Sequence, residues 1–288
     1  MEIQQYDKVK LQQKVKILTE NLQKLESLAV AFSSGVDSTF LLKAAHQTLG
    51  DRVLAVTVQS NSFPKRELQE AREFCDKERI RQVVVPFDEL QVPGFSQNPP
   101  ERCYLCKKEM FRNIVKTANE YGFIHVAEGS NLDDEGDYRP GMRAIAQMQI
   151  LSPLREAGFT KREIRQLSRE YGIATWDKPS FACLSSRFAY GESITKDKLI
   201  MVEQAEQMLW ELGFSQVRVR VHGTLARIEV PKEEFSRILI EENRKLMTEQ
   251  LKAFGFSYVT MDLMGYRMGS MNELLEVHSE ESGMGSEE

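Results

Sequence analysis

Residues 33–38 form a short run whose types and spacing suit the binding of a phosphate chain. The run is Ser-Ser-Gly-Val-Asp-Ser; it follows the apolar residues 28–32 and precedes Thr-Phe-Leu-Leu-Lys-Ala-Ala at 39–45. This order predicts a buried strand, a tight turn and the start of a helix. Such a turn offers unpaired N–H groups and the positive end of a helix to an anion. The alternative is an ordinary strand–helix turn that is rich in small residues.

The side chains of this run strengthen the phosphate hypothesis. Hydroxyl groups of Ser33, Ser34 and Ser38 can add hydrogen-bond donors around Gly35. The carboxylate of Asp37 can hold Mg²⁺ through an oxygen ligand. Together these groups suit a polyphosphate.

Three of the four cysteines are candidates for a metal centre. Cys103 and Cys106 form a C-x-x-C pair ahead of a predicted helix, and Cys183 lies far downstream. A C-x-x-C pair alone can be redox-active, bind zinc or be accidental. If the fold brings Cys183 to the pair, three thiolates suit a [4Fe–4S] cluster with one open iron, since a closed structural zinc site needs a fourth ligand. The alternative is two loop thiols and a buried Cys183, and Cys75 is expected to be a core thiol.

The composition bounds the class of protein. The chain has 288 residues, enough for a sizeable core and two domains. It is 41% hydrophobic and 28% charged, which is typical of a soluble globular protein. The net charge of −5 gives no support to nucleic-acid binding. We expect a cytoplasmic protein without a membrane span, because neither an apolar run of spanning length nor a signal peptide is recognised.

The first half of the chain alternates short apolar runs with helical patterns. Helices are predicted at 6–25, 65–78 and 107–121, and strands at 28–32, 53–58, 82–86 and 123–127. Buried strands that alternate with helices predict a doubly wound parallel α/β sheet. A further helix is predicted to start at Thr160, with a capping box to Glu163, and to end near Gly172.

The second half has the pattern of a smaller α+β domain. The predicted elements are a helical face at 199–212, a hairpin of strands 216–221 and 225–230, a helix at 232–254 and a strand at 258–263. We therefore predict two domains, 1–188 and 189–278, and a disordered acidic tail at 279–288. In the hairpin, Arg218 and Arg220 are two residues apart and share a face, which suits a substrate phosphate. The alternative for this pair is a solvated face of charged residues.

Residues 33–38 resemble the PP-loop, SGGxDS, of the ATP pyrophosphatases. These enzymes split ATP between the α and β phosphates and adenylate a carbonyl or carboxyl oxygen. A Walker loop is excluded because no Gly-Lys-Ser/Thr follows. Ser34 stands where the pattern usually has a second Gly. If that position needs a positive φ, a serine there is strained by roughly 1 kcal/mol.

Over about residues 28–275 the chain resembles the LarE family of ATP-dependent sulfur transferases. The resemblance is carried by residues 33–38, 129–141, 185–191 and 218–222. It implies a role in the biosynthesis of the nickel-pincer nucleotide cofactor of lactate racemase. Family members adenylate a carboxylate of a pyridinium dicarboxylate mononucleotide and then replace the adenylate with sulfur, which gives a thiocarboxylate. The resemblance also implies a homo-oligomer.

The same resemblance implies roles for individual residues. ATP and Mg²⁺ would be bound by Ser33, Ser34, Gly35, Asp37, Ser38, Ser60, Gly129, Asp133 and Arg139. The mononucleotide would be bound by Glu206, Arg218, Arg220 and Arg267. Catalysis would depend on Asp37, Cys183 and Ser186.

The family has two sources of sulfur. One branch sacrifices a single cysteine, which becomes dehydroalanine. The other branch resembles this chain: three cysteines, here Cys103, Cys106 and Cys183, hold a [4Fe–4S] cluster whose open iron is thought to carry the sulfur. The donor that supplies that sulfur is left open.

Three other functions compete with this interpretation. A tRNA thiolase also pairs a PP-loop with three cysteines, but it would need a basic RNA-binding surface or an extra zinc module. An ammonia-using ligase of the NAD or GMP synthetase kind would not need convergent cysteines. A nucleotide-sensing binding module would release no pyrophosphate in response to substrate.

Overall fold

A computed structural model describes residues 2–134, 140–179, 182–267 and 269–271, with residues 2–7 described as backbone only. The chain forms two compact units. The first comprises residues up to Glu89 together with Cys103–Phe181, and the second comprises Leu90–Arg102 and the chain from Ala182 onward. The domain boundary at residue 188 stays a prediction, and the tail at 279–288 lies outside the described residues.

The first unit contains a four-stranded parallel sheet in the order β3-β2-β1-β4. Its strands are β1 (Leu28–Ala31), β2 (Val53–Gln59), β3 (Arg81–Pro86) and β4 (Val126–Ala127). This confirms the predicted parallel α/β fold. β4 is shorter than the predicted strand at 123–127, because the N–H of Phe123 donates to the carbonyl of Ala118 and closes the preceding helix at Gly122 (φ +82°).

Helices cover both faces of this sheet. They are α1 (Glu2–Gln23), α2 (Val36–Leu49), α3 (Lys65–Glu78), α4 (Arg102–Glu120), α5 (Pro140–Gln147), α6 (Pro153–Glu156) and α7 (Lys161–Glu170). Side chains of β1 alternate between the faces: Leu28 and Val30 join the core with α1, α2 and α7, whereas Ala29 joins the core with α4 and α5. Burial on both faces explains why these strands are apolar throughout.

The second unit contains a three-stranded sheet in the order β5-β6-β7. Its elements are α8 (Lys196–Glu211), β5 (Arg218–His222), β6 (Leu225–Glu229), α9 (Phe235–Leu239), α10 (Glu241–Ala253) and β7 (Tyr258–Met261). β5 and β6 form the predicted antiparallel hairpin, and β7 pairs with β6 in parallel. The second unit therefore has the smaller α+β structure that the sequence predicts.

One helix prediction in the second unit was wrong. The continuous helix expected over 232–254 is interrupted at Ile240, whose backbone is extended (φ −56°, ψ 131°). The side-chain amide of Asn243 donates to the carbonyl of Arg237 at 2.8 Å, which supplies a partner that a continuing helix would otherwise provide.

Short 3₁₀ turns complete the described structure, at Gly50–Arg52, Glu89–Gln91, Leu132–Asp134, Ala174–Asp177, Leu184–Arg187 and Lys232–Glu234. Among the described residues, no helix has the length and the apolar character needed to cross a membrane.

Candidate functional site

The β1–α2 loop, residues 33–38, lies at the carboxyl edge of the parallel sheet. It leads directly into α2, whose N-cap is Gly35 with an extended backbone and no side-chain hydrogen bond to the helix. The first-turn N–H groups of α2 therefore lack a side-chain cap, and a phosphate can satisfy such groups. Ser33 is exposed and Ser38 is buried, and their hydroxyl oxygens are 3.2 Å apart. The predicted strand, turn and helix are confirmed.

The φ angle of Ser34 is +53°. The position therefore has the positive φ under which the sequence analysis expects a serine to be strained. The residue is buried, with 1% of its surface exposed. A side chain with a Cβ is strained in this left-handed region by roughly 1 kcal/mol relative to glycine. The hydroxyl group of Ser34 offsets that strain, because it accepts a hydrogen bond from the ammonium of Lys178 at 3.0 Å and lies 3.2 Å from oxygen atoms of Glu67.

Asp37 lies in the first turn of α2, and its two carboxylate oxygens have different surroundings. Oδ2 forms an ion pair with the ammonium of Lys161. Oδ1 is buried and has no hydrogen-bond partner. Burial raises the pKa of Asp37 above its usual value of 3.8, although the charge of Lys161 opposes the shift. An orphaned, buried carboxylate oxygen beside a helix N-terminus fits an oxygen-binding cation such as Mg²⁺.

Asp133 lies in the 3₁₀ turn after β4 and reaches the same part of the first unit. Its Oδ2 accepts a hydrogen bond from the backbone N–H of Lys161 at 2.8 Å. The neighbouring Asp134 contributes to the raised pKa of Asp37 through its negative charge. Lys161 thus links the 3₁₀ turn to the β1–α2 loop through its main chain and its side chain.

Gly129 follows β4 and packs directly against the start of α2. A Cβ at this position would lie 2.8 Å from the amide nitrogen of Ser38 and 3.1 Å from the carbonyl carbon of Asp37. Only glycine permits that approach without movement of the loop. Ser60 is half-buried and follows β2 at the same edge of the sheet. Arg139 lies outside the described residues.

The two cysteines of the C-x-x-C pair lie within the first five residues of α4 and are half-buried. Because they are three residues apart on a helix, the Cys103 and Cys106 side chains share a face. Cys183 is exposed and precedes the 3₁₀ turn of the second unit. In the part of the chain that the structure describes, no group of three or more His, Cys, Asp or Glu side chains is placed to hold a metal.

Cys75 is the buried core thiol that the sequence predicts. It has 1% of its surface exposed and lies in the core beneath α3. Burial raises its pKa to about 12. A thiol in that state is a poor nucleophile and a poor metal ligand at neutral pH.

The second unit contains a buried arginine cluster, which we define as Arg187, Arg218 and Arg220 with Glu206 and Glu229. Arg187 and Glu206 form a bidentate pair with two distances of 2.8 Å. Burial by itself would raise the pKa of Glu206, but the charges of Arg187 and Arg218 hold it below its usual value. The same pairing raises the pKa of Arg187 despite its burial.

The two arginines of β5 are both buried, at 3% and 5% exposure, so the solvated-face alternative was wrong. Burial and the nearby charge of Arg187 lower the pKa of Arg218 to about 10. The guanidinium of Arg218 lies 5.2 Å from the centre of the Tyr266 ring. Arg220 donates to the carbonyl of Ser186 at 3.0 Å and to Glu229 at 2.8 Å.

Two other predicted residues lie near this cluster with less burial. Ser186 is half-buried, and its hydroxyl oxygen accepts a hydrogen bond from Arg187 at 2.9 Å. Arg267 is 30% exposed and lies 3.5 Å from Asp262. The structure therefore places Ser186, Glu206, Arg218 and Arg220 together in the second unit, with Arg267 paired at its surface.

Sequence reasoning missed three charged residues that the structure places at these positions. They are Lys161 beside Asp37, Lys178 behind Ser34, and Arg187 against Glu206. Lys161 and Lys178 are more than a hundred residues from their partners, so no local pattern connects them. Arg187 lay within a motif that the sequence singled out, but its burial required the tertiary structure.

Similarity to known proteins extends over almost the whole chain. A scan against family models found no match. The pyridinium-3,5-bisthiocarboxylic acid mononucleotide synthase of Lactiplantibacillus plantarum is 38% identical over 259 residues, which is 90% of this chain and 93% of that protein. An uncharacterized protein of Synechocystis sp. is 40% identical over 265 residues, which is 92% of this chain and 99% of that protein.

Two further similarities are weaker and partial. The tRNA-specific 2-thiouridylase of Rickettsia felis is 26% identical and matches 54% of this chain. A glutamine-hydrolyzing GMP synthase component of Thermoplasma volcanium is 24% identical and matches 59% of this chain. These matches support the use of ATP, and they leave a large part of the chain unmatched.

Proposed function

Because the chain belongs to the LarE family of ATP-dependent sulfur transferases, we propose that it converts a carboxylate of pyridinium-3,5-dicarboxylate mononucleotide into a thiocarboxylate. The observation that carries this proposal is the match to a bisthiocarboxylic acid mononucleotide synthase over 90% of the chain. The product would serve the biosynthesis of the nickel-pincer nucleotide cofactor of lactate racemase. The reaction has an adenylation step and a sulfur-transfer step.

In the adenylation step, the β1–α2 loop would bind the phosphates of ATP. A carboxylate is a poor electrophile because its leaving group would be oxide, and adenylation turns that oxygen into the good leaving group AMP. The uncapped N–H groups after Gly35 and the hydroxyl groups of Ser33 and Ser38 would stabilise charge on the departing pyrophosphate. Mg²⁺ held by Asp37 would neutralise part of that charge, and the orphaned Oδ1 of Asp37 fits this role.

Further residues would complete the nucleotide site. Gly129 would let the nucleotide approach the end of β4, while Ser60, Asp133 and Arg139 would bind its remaining polar groups. Ser60 and Gly129 follow strands at the same sheet edge as the β1–α2 loop, and ligands gather at that edge in such folds.

In the sulfur-transfer step, the transferred sulfur would attack the carbonyl of the acyl adenylate and AMP would leave, with Cys183 and Ser186 placed beside the reacting group. Cys183 is exposed, so its thiolate is accessible to a cluster iron. We propose that Cys103, Cys106 and Cys183 hold a [4Fe–4S] cluster, since thiolates are the ligands of such clusters and two of them share a helix face. When bound, the cluster would hold the transferred sulfur on its open iron, and a separate donor would replace that sulfur after each turnover.

The arginine cluster would bind the phosphate of the mononucleotide. Three buried guanidiniums meet only two buried carboxylates, so the group carries a surplus positive charge. A phosphate would satisfy that surplus with charge-assisted hydrogen bonds from Arg218, Arg220 and the more exposed Arg267. Glu206 would act by holding Arg187 and the strand amide of Val219 in place.

We also propose that the protein is a homo-oligomer. The second unit exposes large apolar side chains, including Leu239, Tyr258 and Leu263, at 60%, 68% and 79% exposure. Exposed apolar side chains of this size are favourable at subunit interfaces. Sedimentation velocity would show a single species heavier than the 33.1 kDa chain.

The first experiment tests the reaction. Anaerobically purified protein is incubated with the dicarboxylate mononucleotide, MgATP and sulfide, and both pyrophosphate and product mass are measured. We expect pyrophosphate release that requires the mononucleotide, together with replacement of oxygen by sulfur in the product. Pyrophosphate release without the mononucleotide, or thiolation of added tRNA instead, would contradict the proposal.

The second experiment tests the source of sulfur. Iron and acid-labile sulfide are measured in the anaerobic protein and in the Cys103→Ala variant. A cluster predicts about four irons per chain in the first and their loss in the second. Iron-free protein whose Cys183 becomes dehydroalanine after turnover would show the sacrificial mechanism instead.

A further inference from the structure

A buried ammonium, that of Lys178, contacts the β1–α2 loop at Ser34. The nitrogen of Lys178 is 3.0 Å from the carbonyl oxygen of Ser34 and 3.0 Å from its hydroxyl oxygen. It also forms ion pairs with Glu67, at 2.7 Å, and with Glu70. The Lys178 side chain is only 10% exposed, so these contacts replace its hydration.

The contact with the Ser34 carbonyl has a geometric consequence for the loop. A trans peptide is planar, so the C=O of one residue and the N–H of the next point in opposite directions. When Lys178 holds the carbonyl of Ser34 from behind, the N–H of Gly35 is turned the opposite way. That N–H belongs to the N-cap of α2, where a phosphate would bind.

The contact with the Ser34 hydroxyl has a conformational consequence. Ser34 occupies the left-handed region at φ +53°, which a serine adopts at a cost. The hydroxyl accepts a hydrogen bond from Lys178 and lies within donating distance of Glu67, so both of its hydrogen-bonding functions are used. These bonds stabilise the conformation in which they are made.

Lys178 is itself held in place from the other side. The guanidinium of Arg165, on α7, donates to the carbonyl oxygen of Trp176 at 2.8 Å and to that of Lys178 at 2.7 Å. On α3, Arg66 lies within 3.6 Å of carboxylate oxygens of both Glu67 and Glu70. The ammonium is therefore fixed by two helices of the first unit before it reaches the loop.

We propose that Lys178 is a positioning residue for ATP: it holds the Ser34–Gly35 peptide in the orientation that presents the Gly35 N–H to the phosphates. This inference rests on the proposed function of the β1–α2 loop. It also means that the Ser34 hydroxyl does not donate a hydrogen bond to a phosphate, because that hydroxyl is bonded to Lys178 and Glu67. The serine in place of the usual glycine is thus tied to a lysine 144 residues away.

The test measures binding of a non-hydrolysable ATP analogue with Mg²⁺ by calorimetry, beside the thermal midpoint of each protein. Lys178→Met is compared with Lys43→Met. Lys43 also forms a partly buried ion pair with α3, and the partner of its ammonium is Glu78 rather than a loop residue. Both variants are expected to lose thermal stability, since each removes the lysine that pairs with a carboxylate of α3.

Only Lys178→Met is expected to lose affinity, by about tenfold or more, while Lys43→Met stays within about twofold of the unaltered protein. Adding Ser34→Gly to Lys178→Met should recover part of the affinity, because glycine adopts the positive φ without support. If Lys178→Met does not fold, Lys178→Gln replaces it in the test. Its side chain is shorter and does not reach the Ser34 carbonyl, although its amide can still donate a hydrogen bond. It should show the same loss of affinity for the ATP analogue.

Equal affinities in the Lys178 and Lys43 variants would overturn the inference and leave the proposed function intact. Failure of the unaltered protein to bind the analogue would instead overturn the proposed function, and the inference with it.

Discussion

The β1–α2 loop and the arginine cluster both depend on buried charge, but they balance it differently. Behind the loop, Lys178 meets Glu67 and Glu70, and Arg66 lies close to both carboxylates. In the arginine cluster, three buried guanidiniums meet two buried carboxylates. In a balanced network the charges compensate one another within the protein, whereas a surplus of buried cations is stabilised by an added anion.

This difference separates two ways of recognising a phosphate. The loop would bind a phosphate through backbone N–H groups. The charged side chain of Lys178 therefore does not need to touch the phosphate and can fix the shape of the loop. The arginine cluster presents the side chains themselves, and their charge is available to a ligand. We therefore expect variants in the cluster to couple stability to substrate binding, and variants that remove a ligand-contacting group of the loop to affect activity alone.

The largest expected effect is that of Asp37→Asn on activity. Loss of the proposed magnesium ligand should lower the rate of substrate-dependent pyrophosphate release by about a thousandfold, or ~4 kcal/mol. Stability should not fall, because burial raises the pKa of Asp37 and so makes its ionised form less favourable in the folded protein. The thermal midpoint at neutral pH, in EDTA, should be unchanged or higher; a lower midpoint with full activity would contradict this assignment.

Glu206→Gln tests the arginine cluster through its stability. Removing one of two buried carboxylates leaves Arg187 and Arg218 less compensated and should cost about 3 kcal/mol at neutral pH. The pKa of Glu206 is held low in the folded protein, so its contribution is present above the unfolded pKa and is lost as the pH falls through the folded value. Urea unfolding should therefore show a difference between the two proteins at neutral pH that shrinks in acid.

A matched control for this variant lies on the same helix. Glu211→Gln removes an exposed carboxylate at the end of α8 and should change stability by less than about 0.5 kcal/mol. A Glu206 variant no less stable than this control would show that the buried pair contributes nothing to the fold.

Arg218→Ala tests whether the arginine cluster binds the mononucleotide and not ATP. It should weaken binding of the dicarboxylate mononucleotide by about thirtyfold, or ~2 kcal/mol, since it deletes charge-assisted hydrogen bonds to a phosphate. Affinity for the ATP analogue should not change. Arg227→Ala, on the adjacent strand and 28% exposed, is the control. Calorimetry that shows equal substrate affinity for the two variants would remove Arg218 from the substrate site.

The same comparison explains what could be predicted from the sequence. The β1–α2 loop was predicted because its strand, turn and helix are encoded by neighbouring residues, and α3 was predicted to the residue for the same reason. The Thr160–Glu163 capping box is equally local and is present. In each case the interacting groups lie within a few residues of one another.

The arginine cluster could be predicted only in part. Alternation along a strand placed Arg218 and Arg220 on one face, but it could not tell a buried face from a solvated one. That decision depends on Glu206, on the preceding helix α8, and on Arg187, in a 3₁₀ turn. Likewise, the positive φ of Ser34 could be raised as a condition, but its partner Lys178 could not be found from local pattern.

The smallest expected effect is that of Glu163→Ala, which tests whether the capping box of α7 supports the Lys161–Asp37 pair at the loop. Glu163→Ala removes the capping box of α7 and the ion pair with Lys14, at a cost of about 1 kcal/mol. Hydrogen bonds from Lys14 and Thr160 outweigh burial and lower the pKa of Glu163, so this stability is present above the unfolded pKa and is lost as the pH falls through the folded value. Glu170→Ala, at an exposed position at the other end of α7, should lower the free energy of unfolding by less at every pH.

The same variant, Glu163→Ala, should also affect nucleotide binding, because Lys161 is the first residue of α7 and pairs with Asp37. Fraying of that turn should weaken binding of the ATP analogue by a few-fold, or roughly 0.5–1 kcal/mol. An unchanged affinity would mean that the Lys161–Asp37 pair holds without the cap.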